Sequence, residues 1–213
     1  MMKPCEKPLV ITINHQIGSG GAVIGQKLSE RLGVPFIDRE ILQQVSQKLN
    51  LLEGELEGRE ERLSSFWQSF GHMVEKMDPT QSLMTDRYFP TDKELFQIQS
   101  ETISRIAENS QAIFIGRCCQ YILRDHPCNF SLLVFADRSA RIQRLCSLFH
   151  LSPGEADRMI ETNDAERSAY IRSFTKQDWL DARLYDLCLN TSSTGVEQAC
   201  DIIRAAILAK LSQ

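Results

Sequence analysis

Leu9-Val10-Ile11-Thr12-Ile13-Asn14-His15-Gln16-Ile17-Gly18-Ser19-Gly20-Gly21 is the stretch that decides the fold. Its first five residues are apolar or β-branched, which suits a strand buried on both faces. A glycine cluster follows. From Ala22 onward Ile24, Leu28 and Leu32 recur every fourth residue, one face of a helix, until Gly33 stops it. Strand, glycine turn, helix is how parallel α/β proteins hold phosphate. N–H groups at a helix N-terminus carry partial positive charge, and glycines let an anion approach them without a Cβ in the way. The usual phosphate loop ends in Gly-Lys-Ser/Thr. Here Gly20 is followed by Gly21 and Ala22, so the cradle Gly18, Ser19, Gly20, Gly21, Ala22 is expected without its lysine and its magnesium-binding hydroxyl. Three readings stay open for this segment: a tight turn with no ligand, a dinucleotide site, or a phosphate loop with a degenerate end. Asp38, about 20 residues downstream, suits a ribose-binding acid, but the dinucleotide spacing requires glycine where Val23 stands.

Working outward, four more strands are expected: Pro35-Phe36-Ile37 before Asp38, Ala112–Ile115, Leu132–Phe135 and Leu187–Leu189. All are short and nearly continuously apolar. Helical patterns separate them, at Ile41 to Leu49 and at Leu95 to Ala107. Alternating strands and helices imply βαβ units and a parallel sheet. Two segments depart from the alternation. Residues 53–93 are polar and acid-rich, with Phe66, Trp67, Phe70, Val74 and Met77 marking one apolar helix face. Residues 137–180 begin with an arginine-rich helix from Asp137 to His150. Ser152-Pro153-Gly154-Glu155 then carries an N-cap, a proline at the first helical position and a capping-box glutamate. Thr194-Gly195-Val196-Glu197 repeats that pattern before a C-terminal helix.

The chain's 213 residues suit a single domain, 1–213, with inserted segments. A net charge of −4 gives no general attraction to nucleic acid or anionic membrane, so phosphate binding has to come from local basic clusters. No apolar run approaches the ~18 residues of a membrane span, and the start of the chain has no secretory-signal pattern. Seven cysteines without C-x-x-C spacing read as small buried hydrophobes in a reducing cytoplasm, with no metal site.

Arg138, Arg141 and Arg144 recur every third residue after the fourth strand. Arginine's planar fork suits phosphate oxygens, and the C-terminal edge of a parallel sheet is where ligands bind. A solvated helix with scattered cations is the competing reading. Gly116-Arg117 ends the third strand and directs an arginine into the same crevice, with an ion pair to Asp38 as the structural alternative. Asp164 and Arg167 stand three apart on a helix and either pair with each other or orient a ligand. His15 and His72 are assigned nothing specific.

Together these motifs resemble the cytidylate kinase-like proteins, a branch of the P-loop nucleoside monophosphate kinases. The resemblance rests on Ile11-Thr12-Ile13 with Gly18-Ser19-Gly20-Gly21, on Pro35-Phe36-Ile37-Asp38-Arg39, and on Ile115-Gly116-Arg117-Cys118 with Tyr121-Ile122-Leu123. It continues through Val134-Phe135-Ala136, the three arginines, Asp164, Arg167 and Tyr170, Trp179, Tyr185-Asp186-Leu187 and Asn190-Thr191-Ser192. It implies a P-loop kinase-type three-layer α/β sandwich with a five-stranded parallel sheet, an insertion at 53–93 that binds the monophosphate, and an arginine-rich lid at 137–180. The implied activity is phosphoryl transfer from ATP, as its Mg2+ complex, to a pyrimidine monophosphate such as CMP or dCMP. Gly18 to Ala22 would hold the donor phosphates. Asp38, Arg39 and Arg117 would face the acceptor. Arg138, Arg141, Asp164 and Arg167 would belong to the lid, acting with Arg117 in catalysis. The implied partners are small-molecule nucleotides, without nucleic acid or membrane, and a homo-oligomer is compatible with them.

The chain departs from the better-studied cytidylate kinases at Gly21, where they carry lysine, and at Val23, where they carry a hydroxyl residue. Losing one positioned donor costs on the order of 2.7–4 kcal/mol. Two other functions therefore stand beside the kinase: a nucleotide-sensing pseudokinase that keeps the cradle without the chemistry, and a kinase for another small acceptor.

Overall fold

The computed structural model describes residues 7–38 and 92–212. Its elements are β1 (Val10–His15), α1 (Gly21–Leu32), β2 (Phe36–Ile37), α2 (Asp92–Asn109), β3 (Ala112–Ile115), α3 (Cys119–Ile122), β4 (Asn129–Phe135), α4 (Arg138–Phe149), α5 (Pro153–Thr175), a 3-10 turn (Ala182–Leu184), β5 (Leu187–Asn190) and α6 (Thr191–Leu211). Arg39, the helix expected at Ile41 to Leu49 and nearly all of the 53–93 insertion lie outside the described residues.

The strands form one sheet in the order β2-β3-β1-β4-β5, and every pairing is parallel. β1 is central, paired with β3 from Val10↔Ala112 and with β4 from Val10↔Asn129. Helices cover both faces. On one, Ile24 and Leu28 of α1 and Ala199, Cys200, Ile203 and Ile207 of α6 pack on Ile11, Ile13, Phe130, Leu132 and Val134. On the other, Leu133, Ile171 and Trp179 form a second cluster, with Phe96 of α2 against it. Alternate residues of β4 thus feed opposite layers, which is why the strands read as continuous apolar runs.

Sequence expectation and structure differ at several ends. β4 begins at Asn129 rather than Leu132. Its early polar residues, Asn129 and Ser131, are buried because each is bonded: Thr12 Oγ1 donates to Asn129 Oδ1 at 3.3 Å, and Ser131 donates from its N–H and hydroxyl to Asp186. The capping box at Ser152 and Glu155 forms as the sequence indicates. The one at Thr194 does not. α6 starts four residues earlier, with Asn190 rather than Thr194 as its N-cap, accepting from the Ser192 N–H, and Gly195 interrupts the helix at φ 69°. Of the cysteines, Cys118, Cys119, Cys146, Cys188 and Cys200 are free thiols, while Cys128 is disulfide-bonded and departs from the free-thiol reading. No helix among the described residues is long and apolar enough to cross a membrane.

Candidate active site

The turn from β1 to α1 sits at the C-terminal edge of the sheet, on its central strand. Gly18 and Gly20 adopt φ of 76° and 86°, a left-handed geometry that strains residues with a Cβ. Helices also press on the turn from outside: a Cβ on Gly18 would lie 2.9 Å from the Arg141 carbonyl oxygen, and one on Gly20 3.0 Å from Val196 Cγ2.

Every carbonyl from His15 to Gly20 has a donor. Arg167 donates to the His15 oxygen and Arg144 to that of Gly18. Arg141 Nε donates to Ile17 O at 2.7 Å. The Gln16 oxygen takes the Ser19 N–H at 3.1 Å, the Gly20 oxygen takes the Ile24 N–H at 3.0 Å, and Thr191 Oγ1 donates to Ser19 O at 2.7 Å. With the carbonyls tied, the amides are what the loop has left to offer. Among the described residues no acceptor takes the N–H groups of Gly18, Gly20, Gly21 or Ala22. Unpaired amides at the start of α1 suit a phosphate.

The arginines divide into two kinds. Arg141 is buried, and its Nη1 and Nη2 each reach an oxygen of Asp164 at 2.8 Å. With Nε on Ile17, its whole fork is engaged. It braces the loop, and Asp164 is its counter-ion rather than a partner of Arg167. Arg138 is exposed and bonded to Asp157 at 2.6 Å, stitching α4 to α5. The hairpin of α4 and α5 has its own small core of Leu145, Ala156 and Ile160, into which Ile17 of the loop packs. Arg117 and Arg167 belong to the second kind. Both line a cavity of about 480 Å³ beside the loop, together with Asp38, Phe36, Tyr170 and Asn14. The Arg117 guanidinium lies 5.9 Å from the Tyr170 ring centre, and that of Arg167 lies 5.5 Å from Trp179. Burial pulls the Arg167 pKa below its ordinary value while Asp164 opposes the shift. Asn14 donates to Tyr185 Oη at 2.7 Å, and that hydroxyl donates to Trp179 O, which fixes the floor of the crevice.

One residue here was not singled out by the sequence. His15 lines the cavity, and its Nδ1 is closed off from solvent without a partner among the described residues. Burial first, then Arg167 and Arg141, hold its pKa down at about 3, so the ring is neutral at pH 7. The signal was available: placing Gly20 on the second glycine of G-x-x-x-x-G-K puts the first at position 15.

A phosphate chain suits this loop, with its untied amides as ligands. The Ser19 hydroxyl, like His15 Nδ1, is buried without a hydrogen-bond partner among the described residues. Among the described residues no cluster of three His, Cys, Asp or Glu side chains could hold a metal, and the Ser19 hydroxyl is fully buried.

A family model described as the cytidylate kinase-like family matches residues 10–193. The chain belongs to that family. Among curated proteins none matches. A crystal structure of an uncharacterized protein from Eubacterium ventriosum is similar to this cytidylate kinase-like chain at 22% identity and a TM-score of 0.71, covering 95% of this chain and 99% of that one. Shikimate kinase from Bacteroides thetaiotaomicron aligns at 13% identity and a TM-score of 0.45, over 96% of this chain and 94% of its own. A gluconokinase from Sinorhizobium meliloti aligns at 15% and 0.44, over 96% and 92%.

Proposed function

We propose that this protein transfers a phosphoryl group from ATP to a pyrimidine nucleoside monophosphate, CMP or dCMP. The observation that carries the reading is adjacency: a loop with tied carbonyls and untied amides opens beside a cavity lined by two arginines. Phosphoryl transfer demands little covalent chemistry from a protein and much positioning of charge. ATP, carried as its magnesium complex, supplies the group transferred. The amides of Gly18, Gly20, Gly21 and Ala22 would bind its phosphates. Arg117 and Arg167 would bind the acceptor phosphate and offset the charge that gathers as two anions approach. Asp38, across the cavity from α5, would orient the acceptor's sugar or base. Arg141, Asp164 and Arg144 would keep the loop in shape, and Arg138 would keep the hairpin together. Magnesium would ride on the nucleotide's oxygens and water, as the ion commonly does.

The test is ADP formation by the pure chain, given ATP and a panel of nucleoside monophosphates. Turnover is expected with CMP or dCMP and not with purine monophosphates. No turnover above background with any acceptor would refute the reading.

A second reading, a nucleotide sensor without chemistry, draws on the position of Gly21. A Cβ there would lie 2.3 Å from that of His15, so a lysine cannot simply be restored. This reading expects ATP or CMP to raise the melting temperature by mass action with no ADP formed.

A further inference from the structure

Laid on the phosphate-loop pattern, this chain has a side chain where the first glycine belongs, His15, and a glycine where the lysine belongs, Gly21. The two positions share one space. A Cβ built on Gly21 would lie 2.3 Å from His15 Cβ, 2.7 Å from Cγ and 3.2 Å from Cδ2. Both residues cannot carry side chains in this backbone. The side chain that the motif normally projects from position 21 is replaced by one that projects from position 15 into the same volume.

The imidazole is poorly explained as packing. Its residue is only half-buried and lines the cavity, yet Nδ1 is buried and has no partner among the described residues. A buried polar atom without a partner is costly and calls for an explanation such as a ligand. Arg167 donates to the His15 carbonyl and so ties the main chain at this position. Arg117 and Arg167 line the same cavity, an environment that favours an arriving anion.

We propose that His15 takes over the place of the missing loop lysine, its ring nitrogen binding a phosphoryl oxygen where the loop meets the cavity. Arg117 and Arg167, lining the same cavity, hold the acceptor phosphate that faces that group. The identity of the nucleotide rests on the kinase reading above; the phosphate site itself does not.

The test uses the full chain with 15N-labelled histidine, titrated with inorganic pyrophosphate, with CMP and with cytidine. The His15 ring nitrogens are expected to shift saturably with pyrophosphate and with CMP and to ignore cytidine. His15→Ala is expected to weaken both phosphate ligands about tenfold. Gly21→Lys alone should lower the melting temperature, and the double variant His15→Gly, Gly21→Lys should recover both melting temperature and affinity. Unmoved His15 resonances at saturating ligand would overturn the proposal, as would wild-type affinity in a folded His15→Ala protein or no response to either phosphate ligand. If the double variant does not fold, the resonance shifts of the wild type decide alone. A pyrophosphate response without ADP formation keeps this site and removes the kinase. Turnover at wild-type rates in His15→Ala keeps the kinase and removes this site.

Discussion

His15 titrates in a direction that can be read in stability. Its folded pKa of about 3 lies below the ordinary 6.5, because burial and two arginines disfavour the cation. The unfolded chain binds a proton below pH 6.5 that the folded chain refuses. The contribution is therefore whole above pH 6.5 and is lost as pH falls toward 3, by up to about 1.4 kcal/mol per pH unit. Urea unfolding at pH 7 and pH 5 is expected to show a shallower pH dependence in His15→Asn than in the wild type. Equal slopes would mean that the ring is not held neutral. At the facing position, Gly21→Ala forces a Cβ to within 2.3 Å of the ring's own Cβ. Overpacking of this kind costs about 1–3 kcal/mol, to be measured as a lower urea midpoint at unchanged slope. A midpoint at the wild-type value would show that the two positions do not compete.

At the scale of elements, the hairpin of α4 and α5 is fastened to the turn it overhangs. Ile17 is sunk into the hairpin's core, and Arg141 joins the two helices and the loop through Asp164 and Ile17 O. Arg141 is buried while Asp164 is partly exposed, so the carboxylate left behind by its removal still meets water. Arg141→Ala is expected to cost about 1–3 kcal/mol by urea denaturation, from the Ile17 carbonyl left without its donor, and to weaken ATP binding by calorimetry, since the loop loses a brace. An exposed pair behaves differently: Arg138→Ala breaks only the Asp157 contact and should leave the urea midpoint close to the wild-type value. These roles were illegible in the sequence. Arg138, Arg141 and Arg144 repeat at one spacing, and spacing alone cannot distinguish a strut from a ligand clamp. The distinction lies in burial and in the partners, Asp157, Asp164 and two loop carbonyls, which come from other elements.

For the molecule as a whole, the layered plan was readable because its signals are local and strong. β3 falls at Ala112–Ile115 as expected, and α1 falls within a residue of its expected start. Where polar residues are buried by long-range bonding, as at Asn129 and Ser131, the pattern gives no warning and the strand end was missed. Of the candidate site residues, Asp38, Arg117 and Arg167 line one cavity, while Arg138 pairs with Asp157 and Arg141 with Asp164. Function as proposed requires the free amides of Gly18, Gly20, Gly21 and Ala22 to receive a triphosphate. A 15N amide spectrum of the intact chain titrated with ATP and magnesium tests this most directly. Those four amides are expected to shift most and to saturate together. ATP at millimolar concentration leaving those four amides unmoved would contradict it.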